Sequence, residues 1–255
     1  MNLDLKNKNF LISGSSKGIG LKIAETLLNE GSRVIINGRT KNLLKKEFKN
    51  LSLKYGKKVF YVEGDVKNQR VLKKIKGLIK KKLKKLDGIV ANAGAGKKQL
   101  DNFSSEKNYI WHLENNFFPS FKFVNYFLEE MKKSQGSIVF ISSIASLKDI
   151  GAPFGYASSK LNLNFYSKLL ANKVAKYNVR VNNVIPGNIL FKGGNWENKI
   201  KKNSSKINSM IKNKVPLNRF GKPEEIADMV TFLLSSKSAF MTGSEIVIDG
   251  GQIIK

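Results

Sequence analysis

The stretch LISGSSKGIGLKIAETL, residues 11–27, joins an apolar, strand-like run to a helix-like run through a glycine-rich turn. Gly14, Gly18 and Gly20 form the pattern G-x-x-x-G-x-G, and no Gly-Lys-Ser/Thr of a Walker loop follows. A backbone this bare lets amide groups and a helix N-terminus approach a phosphate group. Glycine-rich turns also serve simple packing. The position after the first strand and before an amphipathic helix favours a binding role.

Short apolar runs alternate with longer helical patterns along the rest of the chain. Several of these runs, such as VIIN and GSIVFIS, are almost continuously apolar, as expected for strands that helices cover on both faces. The pattern predicts one domain over residues 1–255, an α/β fold with a doubly wound, Rossmann-type sheet of seven parallel strands flanked by helices. The predicted strands are 9–13, 33–37, 58–63, 87–91, 137–142, 179–185 and 245–248. The predicted helices are 18–30, 40–55, 68–85, 105–133, 155–177 and 223–235.

Composition excludes several classes of protein. The chain has 255 residues, of which 41% are hydrophobic, and no run approaches the roughly 20 apolar residues of a membrane span. The polar residues 1–9 do not resemble a signal peptide, so a cytoplasmic location is expected. Absence of cysteine excludes disulfides and thiolate chemistry. With the single histidine, His112, no histidine-based zinc site can form, so we expect no metal and place His112 at the surface or in packing.

The formal charge of +27 raises the question of a polyanionic partner. Only five of the 46 basic residues are arginine, the residue that base readout and phosphate recognition favour. The densest lysine run, residues 71–86, has apolar residues at helical spacing and predicts a domain helix with a solvated lysine face. A helix that binds a membrane surface or a polyanion is the alternative. We expect no specific nucleic-acid partner.

A second group of polar residues is independent of the glycine-rich turn. The segment YASSK places Tyr156 and Lys160 four residues apart, on one face of a helix. In a chain this rich in lysine such a pair also occurs by chance. Ser143, at the end of the fifth predicted strand, brings a hydroxyl to the same crevice, because ligands bind at the carboxyl ends of such strands. Three polar groups are therefore expected to converge.

With these motifs in order, the chain resembles the short-chain dehydrogenase/reductase family, in its one-domain branch. The resemblance covers nearly the whole chain. It rests on GSSKGIG in the turn, GDV at 64–66, ANAG at 91–94, NNFF at 115–118, ISS at 141–143, YASSK at 156–160, NVIPG at 183–187, and VPLNRFGKPEEIA and TGSEIVIDGG toward the C-terminus.

The resemblance implies a catalytic set of four residues. Tyr156 would be the general acid, Lys160 its electrostatic partner and a ribose contact, and Ser143 the group that holds a substrate carbonyl. Asn116 would position a water in the proton relay. A phenol has an ordinary pKa near 10, so we expect Lys160 and a positively charged nicotinamide to lower the pKa of Tyr156.

The resemblance also implies a nicotinamide dinucleotide as cofactor. Members that use NAD carry an acidic residue after the second strand, whereas this chain has INGRT. Arg39 could pair with a 2′-phosphate and Lys17 adds a second cation, so NADP(H) is favoured over NAD(H). Asp65 and Val66 would contact adenine. The full set of implied cofactor contacts is Gly14, Ser16, Lys17, Gly18, Ile19, Gly20, Arg39, Asp65, Val66, Asn92, Ala93, Gly94, Tyr156, Lys160, Pro186, Gly187 and Ile189.

One departure from the family pattern concerns the segment after the sixth strand. The threonine that often contacts the nicotinamide carboxamide is Phe191 here, so residues 188–203 would hold the ring in another way or shape the substrate pocket. A segment with Gly193, Gly194 and Trp196 could be a lid or an irregular surface loop.

Three functions are compatible with the sequence. The first is NADPH-dependent reduction of a ketone, most like the 3-oxoacyl-[acyl-carrier-protein] reductases, with a small-molecule or carrier-bound carbonyl as substrate; a sugar or another small ketone is an alternative within it. The second is a nucleotide-binding scaffold without turnover. The third, from charge alone, is a nucleic-acid or membrane binder. By resemblance, the long helical segments 105–133 and 155–177 predict a homotetramer, or failing that a dimer.

Overall fold

A parallel seven-stranded sheet forms the centre of the protein in a computed structural model, which describes residues 1–95 and 105–254. The strand order is β3-β2-β1-β4-β5-β6-β7, so the winding direction reverses between β1 and β4. The predicted doubly wound sheet is confirmed. The strands are β1 (Asn9–Ile12), β2 (Arg33–Gly38), β3 (Val59–Glu63), β4 (Gly88–Ala91), β5 (Ser137–Ile141), β6 (Arg180–Pro186) and β7 (Glu245–Ile248).

Helices cover both faces of this sheet. Residues of α3, α5, α6 and α7 share one hydrophobic cluster, and residues of α1, α2 and α10 share the other. The helices are α1 (Gly18–Asn29), α2 (Lys41–Tyr55), α3 (Gln69–Leu78), α4 (Glu106–Asn116), α5 (Phe118–Tyr126), α6 (Leu128–Ser134), α7 (Phe154–Val174), α8 (Asn195–Lys202), α9 (Ser204–Lys214) and α10 (Pro223–Leu234).

The two hydrophobic clusters explain the continuous apolar strands. Successive side chains of a strand point to opposite faces. Leu11 therefore joins the cluster under α7, while Phe10 and Ile12 join the cluster under α1. All four residues of β1 are buried. A strand covered on both faces cannot place a polar side chain on either one without a hydrogen-bond partner.

The predicted helix 105–133 is wrong in its continuity, because the structure has three helices there. Helix α4 ends at Asn116 and α5 begins at Phe118, with Pro119 in its first turn. Proline has no N–H for the hydrogen bond that would continue α4. A second break falls at Phe127, before α6.

The lysine-rich segment is helical, as predicted, but changes its winding. Helix α3 ends at Leu78 and continues as one π-helical turn, Ile79–Leu83, which ends at Lys84 with a left-handed φ of 64°. Its apolar residues are buried and its lysines exposed. Exposed lysines also line α2 on the opposite face of the sheet, so the charge is not gathered on one side. Within residues 1–95 and 105–254, no helix is long and apolar enough to cross a membrane.

The segment after β6 contains two helices that the sequence did not predict. Helices α8 and α9 occupy residues 195–214, where the lysine- and asparagine-rich sequence predicted a lid or an irregular loop. Ile211 is the one buried apolar side chain of the pair. With so few buried apolar residues the sequence shows almost no helical periodicity, so neither helix could be predicted from it.

Candidate active site

The glycine-rich turn lies at the carboxyl end of β1, beside the loop that follows β4. Gly14 has a left-handed φ of 63°, and a Cβ there would lie 2.9 Å from the Cα of Ala93. Asn92 holds the two loops together, since its Nδ2 donates to the Gly14 carbonyl at 2.8 Å. A Cβ on Gly20 would collide with this same amide. The bare backbone is therefore required for the two loops to meet.

Two buried serines and an asparagine hold these loops, and sequence reasoning missed them. The Ser13 hydroxyl accepts hydrogen bonds from the amides of Asn92 and Ala93, each at 3.1 Å. The Ser15 hydroxyl accepts from the Asn37 amide at 2.9 Å, and Asn37 Nδ2 donates to the Val62 carbonyl at 2.9 Å. These bonds hold the carboxyl ends of the four strands β1, β2, β3 and β4 together at one edge of the crevice. A single serine carries no periodic signal in a sequence.

Gly18 packs against Phe191, the residue that departs from the family pattern. Its φ is 58°, and a Cβ there would lie 2.6 Å from the ring of Phe191. The segment around Phe191 is fixed further by Lys17, whose Nζ donates to the Gly193 carbonyl at 2.9 Å. The Gly193 amide in turn donates to Glu197 at 2.7 Å. Phe191 thus packs directly on the glycine-rich turn, and the two hydrogen bonds of Gly193 join this turn to α8.

The polar residues predicted to converge lie together at the ends of β4, β5 and α7. Ser143 and Tyr156 both line the crevice, and the Ser143 side chain acts to lower the pKa of Tyr156. Lys160 is buried, and its Nζ donates to the Ile141 carbonyl at 2.9 Å. A Cβ on Gly94 would lie 3.2 Å from Asn116 Oδ1 and 3.7 Å from Lys160 Nζ. Both side chains therefore lie directly beyond Gly94.

Asn116 ends α4 with its side chain fully buried. Its Oδ1 accepts a hydrogen bond from the Ala95 amide at 2.9 Å, and its Nδ2 donates to the His112 carbonyl at 3.2 Å. The amide is therefore tied both to the loop after β4 and to its own helix.

Burial controls the protonation of the two titratable groups on α7. It lowers the pKa of Lys160 from 10.5 to about 8. It also raises the pKa of Tyr156, while the hydrogen bond from Ser143 acts in the opposite direction. We expected Lys160 and the nicotinamide to lower the pKa of Tyr156. In the protein by itself burial raises this pKa instead, because loss of solvation disfavours the phenolate. At neutral pH Tyr156 carries its proton.

The end of β2 presents Arg39 to the crevice. Its side chain is 55% exposed, and Nη1 lies 3.8 Å from Asp65 Oδ2. Nη1 also donates to Asn115 Oδ1 at 3.4 Å. Trp111 and Asn115, on α4, also line the crevice and were not predicted. Arg39 is thus oriented by neighbours and still accessible to a ligand.

The crevice is a cavity of about 790 Å³ that extends from Arg39 to Trp196. Five predicted site residues lie outside its lining: Gly18, Gly20, Asn92, Asn116 and Lys160. Each of them contacts the lining from behind. The predicted residues that do line it are Gly14, Ser16, Lys17, Ile19, Arg39, Asp65, Val66, Ala93, Gly94, Ser143, Tyr156, Pro186, Gly187 and Ile189.

His112 is a packing residue, not a surface one, with 3% of its area exposed. Its ring lies edge-on to the Tyr156 ring at 6.3 Å between centroids. Among the described residues, no cluster of three or more histidine, aspartate or glutamate side chains is placed to hold a metal ion.

Comparison with known proteins agrees with this geometry. Residues 14–252 match the family model described as enoyl-(acyl carrier protein) reductase. The chain is 33% identical over 252 residues to the 3-oxoacyl-[acyl-carrier-protein] reductase of Aquifex aeolicus, covering 98% of this chain and 99% of that protein. It is 31% identical to the L-xylulose reductase of Caenorhabditis elegans, with 98% and 97% covered. L-sorbose reductase from Gluconobacter frateurii, solved with NADPH and L-sorbose, superposes with a TM-score of 0.91 at 27% identity and 100% coverage of both chains.

The fold and the matched relatives define a nicotinamide-dependent oxidoreductase. The chain belongs to the short-chain dehydrogenase/reductase family, as the sequence motifs predicted.

Proposed function

We propose that this protein reduces a ketone to a secondary alcohol with NADPH, and that Tyr156 supplies the proton. The observation that supports this most directly is that Ser143 and Tyr156 both line the cavity that begins at the glycine-rich turn. A raised pKa keeps Tyr156 protonated at neutral pH, which is the form that a reduction needs.

The residues around the cavity fit a nicotinamide dinucleotide. The turn at 14–20 lines the cavity with Gly14, Ser16, Lys17 and Ile19 and opens the N-terminus of α1, where a pyrophosphate would bind. Gly94 and Ile189 would flank the nicotinamide end, while Asp65, Val66 and Arg39 would hold the adenosine end. When bound, the dinucleotide supplies the hydride.

In the proposed mechanism the protein residues hold the carbonyl and deliver the proton. The hydroxyls of Ser143 and Tyr156 donate hydrogen bonds to the carbonyl oxygen, which stabilise negative charge as it develops there. Tyr156 transfers its proton to this oxygen. The buried Lys160 ammonium lies on the same face of α7 and stabilises the phenolate that remains, and Asn116 positions a water through which the proton is replaced.

Arg39 is the basis for proposing NADPH over NADH. No carboxylate ends β2, and Arg39 is the cation at that point. Lys17, the second predicted cation, is engaged with the Gly193 carbonyl, so the preference depends mainly on Arg39. The sorbose reductase that superposes on this chain was solved with NADPH.

Two substrate classes deserve a direct test. Several relatives are named as 3-oxoacyl-[acyl-carrier-protein] reductases, and two are named as sugar reductases. The test is a panel of acetoacetyl thioesters, keto-sugars and simple ketones, scored by loss of NADPH absorbance. We expect turnover with at least one ketone. Binding of NADPH without turnover on any of them would favour the scaffold function instead.

We also propose that the protein is a homotetramer. Leu161, Phe165 and Leu169 recur every four residues on α7 and are 54%, 63% and 46% exposed. Such a stripe of large apolar side chains is unusual on a monomer's surface and fits a two-fold pairing of α7 with a second copy. Sedimentation at micromolar concentration should give a tetramer, or failing that a dimer, and Phe165→Glu should separate the copies that pair through α7. A monomer in the wild type would contradict this.

A further inference from the structure

A chain of hydrogen bonds leads from β6 through α7 to the turn that carries Ser143. Asn183 Nδ2 donates to Asn164 Oδ1 at 2.8 Å. Asn164 Nδ2 donates to Ser146 Oγ at 2.8 Å. The Ser146 hydroxyl then donates to the Ser143 carbonyl at 2.6 Å. Every bond points the same way, toward Ser143.

This series of hydrogen bonds is buried where it crosses α7. Asn183 is fully buried and Asn164 is 3% exposed. A polar group in such surroundings is costly unless it is hydrogen-bonded, and the Asn164 amide, whose Oδ1 and Nδ2 are both paired, is therefore held in one orientation. Asn183 lies in the interior of β6 and cannot shift along the strand without breaking the sheet. It therefore serves as a fixed anchor.

This anchoring joins the two elements that carry the reacting groups. Ser143 precedes a short 3₁₀ turn, Ile144–Ser146, whereas Lys160 and Tyr156 lie on α7 one and two turns before Asn164 respectively. A second tie lies nearby, because the Ser142 hydroxyl donates to the Lys160 carbonyl at 3.2 Å. Asn164 and Ser146 add a direct side-chain hydrogen bond between the 3₁₀ turn and α7.

We propose that Asn164 and Ser146 are positioning residues that set the Ser143 hydroxyl against Tyr156. This proposal rests on the proposed function. Neither residue lines the cavity, so neither touches substrate or cofactor. Their contribution is to the geometry of the carbonyl site, where small misplacements cost a large part of the rate.

The chain offers a matched control. Ser167, also on α7, is 3% exposed, and its hydroxyl donates to the Asn164 carbonyl at 2.8 Å. Ser167→Ala therefore removes one hydroxyl and one short hydrogen bond, as Ser146→Ala does. It leaves intact the series of hydrogen bonds that runs from Asn183 to Ser143. Ser146→Thr keeps the hydroxyl and should restore whatever Ser146→Ala loses.

We expect Ser146→Ala and Asn164→Ala each to lower kcat about 10-fold or more, with an unchanged Kd for NADPH measured by fluorescence. Ser167→Ala should leave kcat within about twofold. Loosening Ser143 weakens its bond to Tyr156, so the pKa of Tyr156, followed by tyrosinate absorbance against a Tyr156→Phe blank, should rise in Ser146→Ala and not in Ser167→Ala. Lys160 and His112, the titratable neighbours of Tyr156, are the same in all variants.

The proposal is overturned if Ser146→Ala and Asn164→Ala lose no more kcat than Ser167→Ala. It is also overturned if Ser146→Thr fails to restore the rate, or if the Tyr156 titration stays in place. Should one alanine variant fail to fold, the other decides. A wild type that reduces no ketone on the panel would be a failure of the proposed function, and the tyrosinate titration would still test the positioning.

Discussion

Replacing Lys160 with methionine should stabilise the folded protein near neutral pH while removing its activity. Lys160 is buried, and burial alone lowers its pKa from 10.5 to about 8. A difference of this size corresponds to about 3 kcal/mol of unfavourable free energy whenever the buried group is charged. Methionine has a similar length and no charge. It leaves the Ile141 carbonyl without its donor, at a cost of about 1 kcal/mol. The expected net gain is about 2 kcal/mol.

The gain should depend on pH in a defined direction. Below about pH 8 Lys160 is charged in both the folded and the unfolded state, and the cost of burying the charge is present in full. Between about 8 and 10.5 the unfolded chain binds the proton and the folded chain does not, so the wild type gains stability as pH rises. Near pH 10 the advantage of Lys160→Met should therefore have largely disappeared.

Urea unfolding of both proteins at about pH 7 and about pH 10 measures this difference. Lys173→Met, an exposed position on the same helix, is the control and should change stability little at either pH. The reasoning is refuted if Lys160→Met is less stable than the wild type at pH 7, or if its advantage does not shrink with rising pH.

Three further substitutions test separate parts of the site. Arg39→Ala should weaken NADPH use about 10-fold and leave NADH use nearly unchanged. Charge-assisted hydrogen bonds contribute about 1.5 to 3 kcal/mol, and this side chain is half-exposed, so the lower end of that range is expected. The ratio of kcat/KM for the two cofactors measures this change in preference. Gly18→Val should impair binding of both cofactors alike, because it strains a left-handed φ and displaces the Phe191 ring, and equal loss in the two Kd values is the readout. Ser143→Ala should lower kcat about 100-fold with NADPH binding retained, which steady-state kinetics and fluorescence titration separate.

The sheet could be predicted from the sequence because its strands are buried on both faces. Runs such as residues 137–141 leave no alternative to an interior strand, and burial at every position confirms this. Helix boundaries were harder to predict. The break before Pro119 had a signal in the sequence, whereas the break at Phe127 had none.

The cavity lining could also be predicted largely from the sequence, because the motifs fall at the carboxyl ends of successive strands. The residues that hold this lining could not. Ser13, Ser15 and Asn164 act through hydrogen bonds to distant parts of the chain, and the bond from Asn92 to Ser13 spans 79 positions. Such pairings depend on how strands and helices stack, which no local pattern records.

The contact of Phe191 could not be predicted from the sequence either. The sequence identified it as a departure from the family pattern but could not give its contact. The ring packs on Gly18, so the glycine in the turn is needed partly for a side chain of the protein itself. Helices α8 and α9, which follow, were missed because Ile211, on α9, is the only buried residue that the two helices have.

The most direct test of the central claim is the comparison of wild type with Tyr156→Phe. The substitution keeps the ring and its packing against His112 but removes the proton that the reduction requires. Both proteins are titrated with NADPH by fluorescence and then assayed with the best ketone of the panel. We predict equal NADPH affinity and loss of most of the turnover in Tyr156→Phe. Reduction by Tyr156→Phe at a rate near that of the wild type would contradict the assignment of Tyr156 as the proton donor.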